Sequence, residues 1–168
     1  MHFTTTAAVL GALSTMAAAQ DIPGMSAYAS VSNYCDFPTF TWYVGTNVST
    51  VARNPAQVGY VGEVIISDPE TGGRAIKIFT EEDGLYSGAA HLNLAYNFED
   101  PLVWYDMSEV FGSPFEGHKL RVTAHDEGCE DYDWEDGVQP AGSNLQVCEA
   151  KKGFSLTLCA GSDWDPSA

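Results

Sequence analysis

One carboxylate stands out as a candidate for catalysis because it lies inside an aromatic run. Asp106 falls in the segment Val103–Ser108, where a tryptophan and a tyrosine precede it. Glycoside hydrolysis requires two carboxyl groups roughly 5 to 9.5 Å apart, one of them with a raised pKa. A chain with 23 Asp and Glu residues can bring a second one close by chance. A hydrolase centred on Asp106 is therefore one hypothesis, and an aspartate that accepts backbone hydrogen bonds at a turn or strand end is the other.

Other catalytic patterns are missing from the sequence. It contains no G-x-S-x-G nucleophile elbow, no H-E-x-x-H zinc motif and no glycine-rich phosphate loop. The histidines that follow residue 20 are His91, His118 and His125, and we expect each to be an ordinary surface or strand residue. The sequence accordingly predicts neither a cofactor nor a metal site.

A short segment from Asp126 to Asp136 is strongly acidic, with seven carboxylates in eleven residues. Its run D-Y-D-W-E superficially resembles a calcium loop. An EF-hand counted from Asp131 would need Gly at its sixth position and Glu at its twelfth, where this chain has Asp136 and Gly142. We predict a solvated acidic loop, with a weak divalent-cation site as the alternative.

The first 19 residues predict a cleaved signal peptide. An apolar run of about 13 residues, too short for a spanning helix of roughly 20, ends in small residues before Gln20. Residues 20–168 then form one domain, which we expect to be a secreted monomer. No second long apolar run follows, so no membrane span is expected. The net charge of −16 repels phosphate backbones and anionic lipids, which argues against nucleic-acid and membrane partners.

Cysteine usage fits the same compartment. An even number of cysteines in a secreted chain predicts disulfide bridges, here two. The four are Cys35, Cys129, Cys148 and Cys159. Their spacings suit no common zinc finger, and the sequence leaves all three pairings open. The Asn-Val-Ser sequon at Asn47 predicts an N-glycan.

Short runs of β-branched and aromatic residues between glycines and prolines predict an all-β fold. Nine strands are predicted: Ala27–Asn33, Phe40–Val44, Tyr60–Ile66, Arg74–Phe79, Ala90–Phe98, Leu102–Met107, Lys119–His125, Leu145–Cys148 and Phe154–Cys159. Within Ala89–Asp100 a short helix is the alternative. Phe154, Leu156 and Leu158 alternate with polar residues, as in a strand with one buried face. Nine such strands with turn signals between them indicate a β-sandwich.

Several motifs resemble thaumatin-like proteins. The opening NYCDFP at 33–38, the segment WYDMS at 104–108 and the closing LTLC at 156–159 resemble segments of that family. The match is closer to a small fungal branch, the Blastomyces yeast-phase-specific protein family, also called antigenic thaumatin-like proteins. It is carried by DGLYSGA at 83–89, VWYDMSEVFGSPFEG at 103–117 and the stretch from Trp134 to Cys148.

This resemblance implies a thaumatin-like β-sandwich with a small disulfide-bearing lobe of loops. It implies the pairings Cys35–Cys159, joining the first strand to the last, and Cys129–Cys148, closing the acidic segment. It also implies a secreted or wall-associated fungal factor, linked to growth phase or host contact, without an established reaction.

Larger plant thaumatin-like proteins have an acidic cleft associated with β-1,3-glucan. By resemblance, Asp106 matches one cleft aspartate. The other cleft positions fall at Phe111, near Tyr96 and, for the arginine, near Ile78. A family-type pair of carboxylates is therefore not expected in this chain.

The leading hypothesis is a non-enzymatic protein that binds a wall polysaccharide or a host component. Exposed aromatic side chains would supply stacking surfaces, and the candidates are Trp104, Tyr105, Trp134 and Trp164. Trp134, among acids, is predicted to be the most exposed, and Asp106 and Trp134 are the predicted ligand-binding residues. The alternatives are a weak β-1,3-glucan hydrolase using Asp106 and an effector that binds a host protein.

Overall fold

Two β-sheets packed face to face form the structure. The computed structural model describes residues 26–161, so the predicted signal peptide and Trp164 lie outside the described residues. The five-stranded sheet has the order β4-β1-β11-β8-β9, and the six-stranded sheet has the order β10-β7-β6-β5-β2-β3. Among the described residues no helix is long and apolar enough to cross a membrane. The predicted all-β sandwich is confirmed.

All nine predicted strands are present, with bounds that differ by a few residues. They are β1 Tyr28–Asn33, β2 Thr39–Val44, β4 Gly59–Val64, β5 Arg74–Phe79, β6 His91–Glu99, β7 Leu102–Val110, β8 Leu120–Ala124, β10 Gln146–Glu149 and β11 Gly153–Leu158. The segment Ala89–Asp100 contains strand β6 and no helix. Three short elements were not predicted: β3 Ala52–Asn54, β9 Tyr132–Trp134 and helix α1 Gly84–Ser87. A three-residue strand is too short to show alternation, which is the signal on which strand prediction depends.

The core lies between the two sheets, where apolar side chains of alternate residues meet. Phe154, Leu156 and Leu158 of β11 are buried there, as their alternation predicts. They are joined by Leu92 and Leu94 of β6. A second, smaller cluster of Phe40, Trp42 and Phe79 lies apart from this core and packs against Leu85 of α1 and against Ala89, which follows it.

The first and last strands are paired in parallel, which brings the chain ends of the described residues together. Tyr28 pairs with Gly153 and Asn33 with Leu158. At Gly153, with φ of +92°, a Cβ atom would overlap the backbone of Tyr28, so glycine allows the strands to start side by side.

Both disulfide bridges have the pairing that the resemblance implies. Because parallel strands end on the same side, Cys35 and Cys159, which follow β1 and β11, are adjacent, with their Cα atoms 5.0 Å apart. Cys129 is bonded to Cys148 across 19 residues, and this bridge ties the acidic segment to β10.

Candidate functional site

A row of four residues forms the floor of a groove on the six-stranded sheet. Val44, Ala75, Ala95 and Asp106 lie opposite one another on β2, β5, β6 and β7. Because side chains alternate along a strand, these four project from the face opposite the core, called the outer face here. The two alanines are small, so the middle of the row is a depression between larger neighbours.

Loops and side chains on both sides deepen this row into a groove of about 420 Å³. Trp104 and Leu145 border it on the side of β7 and β10, and Gly45 and the turn 71–73 border it near β2 and β5. Trp104 is half-buried, so part of its indole is held by the protein and part remains accessible. The volume lies in the range of small-molecule sites, roughly 300 to 1,000 Å³.

Asp106 is the one carboxylate among the described residues that line the groove. Its Oδ1 atom is shielded from solvent and has no hydrogen-bond partner in the described part of the chain. Burial raises the pKa of Asp106, although a hydrogen bond with the backbone of Met107 opposes this shift. Acid–base hydrolysis needs a second carboxyl group, and the groove lining does not supply one.

An ion-pair cluster holds one end of the groove in place. Arg74 Nη2 lies 2.6 Å from Glu63 Oε2, and Arg74 Nη1 lies 3.5 Å from Asp68 Oδ2. The Tyr96 hydroxyl donates to Glu63 Oε1 at 2.9 Å. Asp68 also accepts hydrogen bonds from the backbone N–H and the hydroxyl of Thr46, at 2.8 and 2.6 Å. The cluster therefore ties strands β4, β5 and β6 to the loops beside Gly45.

This end of the groove is expected to loosen in acid. The hydroxyl and then the backbone N–H of Thr46 lower the pKa of Asp68 from 3.8 to about 2. A lowered pKa in the folded state means that Asp68 adds stability above pH 3.8, and that this contribution is lost as the pH falls towards 2. The melting temperatures of wild type and Asp68→Asn should differ at pH 6 and converge near pH 2. The same change at exposed Asp36 is the control, and a difference for Asp68→Asn that is independent of pH would contradict the prediction.

Comparison with known proteins identifies the fold and the family. The profile of the Blastomyces yeast-phase-specific protein matches residues 16–160. The chain belongs to this family. An antigenic thaumatin-like protein of Arthroderma benhamiae is 24% identical over 173 residues, which cover 96% of this chain and 85% of that protein. The crystal structure of the protein elicitor MoHrip2 from Magnaporthe oryzae has a TM-score of 0.65 at 18% identity and covers 80% of this chain and 100% of the elicitor.

The predicted resemblance to the Blastomyces yeast-phase-specific family is thus confirmed. Membership, together with the two bridges, fits a fungal extracellular protein. The elicitor shares the fold, and at its level of identity the likeness carries no more than that.

The positions aligned with the acidic cleft of plant thaumatin-like proteins carry other chemistry in this family member. Tyr96 is buried and bonded to Glu63, and Ile78 is completely buried in the core. Phe111 is 79% exposed and has a φ of +63°. Of the four compared positions, Asp106 alone is an acid, and it lines the groove.

The prediction that Trp134 is an exposed ligand-binding residue is wrong. Trp134 is 1% exposed and belongs to the core, because β9 pairs with β8 and places Trp134 opposite Leu120. The adjacent Asp133 points the other way and forms ion pairs with Arg121. The acids around Trp134 indicate a loop, whereas Tyr132–Trp134 forms a short edge strand.

Two further aromatic candidates have different outcomes. Tyr105 is not exposed: it is buried, and its ring stacks on Phe154 with 4.2 Å between centroids. Its neighbour Trp104 points to the opposite face and borders the groove. Two consecutive residues of β7 therefore face opposite sides of the sheet, Tyr105 the core and Trp104 the groove.

The acidic segment is only partly a solvated loop. Asp126 Oδ2 accepts hydrogen bonds from three backbone N–H groups, of Lys151, Lys152 and Gly153. Asp131 accepts one from Ala124 at 3.0 Å. Several of these acids therefore hold the backbone in place, and within residues 26–161 no three metal-binding side chains converge.

Sequence reasoning missed most of the groove lining. Ala75, Ala95 and Leu145 carry no chemical signal, and Asn97 is one of many asparagines. These residues are recognised as one surface only when it is known which strands are adjacent. Asn47, the predicted glycosylation site, is exposed in the loop after β2, two residues from Gly45 at the edge of the groove.

Proposed function

We propose that this protein is a secreted fungal protein that acts by binding, and that the groove on the outer face binds a polysaccharide of the cell wall. The observation that carries the proposal is the combination of an accessible indole, an alanine floor and polar side chains. The lining residues Trp104, Asn97 and Asp106 supply a stacking surface, an amide and a hydrogen-bond acceptor. Sugars present apolar ring faces and hydroxyl groups to a protein, and this lining complements both.

Replacing Trp104 with alanine is expected to weaken binding to β-1,3-glucan by roughly tenfold, because it removes the aromatic stacking surface of the groove. Binding is measured by pull-down on insoluble β-1,3-glucan and by calorimetry with laminarihexaose. Tyr60→Ala, which removes a 63% exposed aromatic from the other sheet, is the control and should bind as wild type does. Equal affinity of the Trp104 variant would refute the proposal, and so would failure of wild type to bind β-1,3-glucan and every other polysaccharide or oligosaccharide tested.

A host protein is the second candidate partner, and the outer strand of the five-stranded sheet favours it. On and beside β4, Tyr60, Val58 and Ile66 are 63%, 86% and 46% exposed. The outer edge of β4 has no neighbouring strand among the described residues, and such an edge can accept a strand from a partner. Partner binding that is lost on Tyr60→Ala and kept on Trp104→Ala would support this role over polysaccharide binding.

Hydrolysis by Asp106 receives no support from the groove, whose described lining has one carboxylate. Release of reducing ends from β-1,3-glucan by wild type, and its loss in a folded Asp106→Asn variant, would reverse this conclusion.

A further inference from the structure

A lysine lies on the outer face next to the groove floor. Lys77 of β5 is opposite Trp42 of β2 and Asn93 of β6, and Asn93 is opposite Ser108 of β7. This row, called the lysine row, is two residues along each strand from the alanine row, at a distance of about 6.7 Å. The lysine row is not part of the groove lining and borders it beyond the alanine row. A ligand that occupies the groove and extends past this border would therefore reach both rows.

Lys77 is half-buried and its contacts are with neutral groups. Its Nζ atom lies 3.1 Å from His91 Nε2 and 3.2 Å from Asn93 Oδ1. His91 Nδ1 lies 3.1 Å from the carbonyl oxygen of Ala89, which can only accept, so Nδ1 carries the proton and Nε2 accepts from Lys77. Two of the three ammonium N–H groups are thus used, and the third has no hydrogen-bond partner among the described residues.

Among the described residues, Lys77 has no acidic partner. Arg74, Lys119 and Arg121 are each paired with a carboxylate. In a chain with 23 acids and seven bases, a half-buried cation without an acid is unexpected. Burial lowers the pKa of Lys77, as expected for an ammonium group without a countercharge.

The neighbouring polar groups also present donors. Asn93 Nδ2 donates to Ser108 Oγ at 3.4 Å, so the Ser108 hydroxyl keeps its own hydrogen for another acceptor. Lys77 and Ser108 together offer an N–H and an O–H on one row. A ligand group that only accepts hydrogen bonds and carries negative charge, such as a carboxylate, suits this pair.

Two exposed aromatic rings stand beside the lysine row. Phe111 is 79% exposed and contacts His91, with ring centroids 6.4 Å apart. Tyr86 is also 79% exposed and contacts Trp42 at the same distance. The positive φ of Phe111 is strained for a bulky residue, and such strain is concentrated at functional sites.

We propose that the lysine row is a subsite beside the groove and binds the carboxylate of a uronic acid, so that the ligand is an acidic oligosaccharide. The inference rests on the proposed function. At the alanine row Asp106 favours sugar hydroxyls, and at the lysine row Lys77 favours a carboxylate. This difference between the two rows sets the orientation of the ligand. Because the net charge of −16 opposes long polyanions, a short or sparsely charged chain is expected.

The test compares acidic and neutral sugars on the purified secreted protein. The probes are xylotetraose with and without one methylglucuronic acid, and trigalacturonate with and without methyl esterification. Laminarihexaose serves as the neutral reference. Wild type should prefer the acidic member of at least one pair by roughly tenfold, the factor expected of one charge-assisted hydrogen bond. The pair that shows the preference identifies the uronic acid.

Lys77→Met should abolish this preference and leave neutral binding within about twofold, since the affected contact is to the charge. Lys152→Met removes the same charge from an exposed loop and should keep the preference. If Lys77→Met fails to fold, Ser108→Ala should reduce the preference instead. Phe111→Gly should weaken acidic binding without lowering the melting temperature, because glycine relieves the positive φ.

The proposal is overturned if wild type shows no acidic preference, if Lys152→Met loses it equally, or if no probe binds. Binding of laminarihexaose without any acidic preference would overturn this inference and leave polysaccharide binding standing. Failure of laminarihexaose and of all other sugars would remove both.

Discussion

Trp134→Ala is expected to lower the free energy of unfolding by about 3 to 5 kcal/mol, the range for removing a large aromatic from a core. The indole is 1% exposed and packs in the main core, so its removal leaves a cavity between the sheets. The position was predicted to bind ligand, and loss of binding by this variant could be mistaken for a lost contact. Urea unfolding followed by far-ultraviolet circular dichroism gives the folded fraction of the variant. Binding is then expressed per folded molecule, and it should be unchanged if Trp134 contributes to stability only.

Two further variants sharpen this result. Tyr86→Ala removes a ring that is 79% exposed and should change stability by no more than about 0.5 kcal/mol. Trp134→Phe should cost less than alanine, since it also removes Nε1, which is buried without a hydrogen-bond partner among the described residues. An unchanged unfolding midpoint for Trp134→Ala would place the indole outside the core.

Loss of the bridge between Cys35 and Cys159 is the other large effect. Its cysteines are 124 residues apart, against 19 for Cys129 and Cys148. Closing the longer loop removes more entropy from the unfolded chain, and the chain-entropy relation gives about 4.9 kcal/mol for it and about 3.2 kcal/mol for the shorter one. The double variant Cys35→Ala/Cys159→Ala should therefore be the less stable of the two.

Both double alanine variants are compared with wild type by urea unfolding under the same oxidising conditions. If the Cys35/Cys159 variant does not fold at 25 °C, both variants are melted from 4 °C in a series of stabilising salt concentrations. The Cys35/Cys159 variant should have the lower melting temperature at each concentration. A larger loss from Cys129→Ala/Cys148→Ala would show that local strain or packing, and not loop length, sets the contribution of each bridge.

Sequence and structure agree best where the signal is local and repeated. The alternation of Phe154, Leu156 and Leu158 places them in the core, as it predicted. They differ at Trp134. The three residues of β9 are too few to show the alternation of a strand, and the surrounding acids indicate a solvent-exposed loop. The direction of Trp134 depends on pairing with β8, a contact that local composition does not encode.

The groove shows the same limit. Asp106 was recognised as a candidate from its aromatic surroundings, and it lies on the groove. Its neighbours there are Ala75 and Ala95, from strands β5 and β6, and neither alanine carries a chemical signal in the sequence. A binding surface made of small residues in register becomes visible only when the strand order is known.

The sequence by itself determined the all-β class, the nine longer strands and, through family motifs, both disulfide pairings. These follow from short-range alternation, turn residues and a specific order of motifs. The tertiary structure decided which aromatic residues face the groove, which acids pair with cations and that Lys77 lacks an acid among the described residues. The reason is physical: the face of a side chain follows from its neighbours along the strand, whereas its partners across the sheet come from distant parts of the chain.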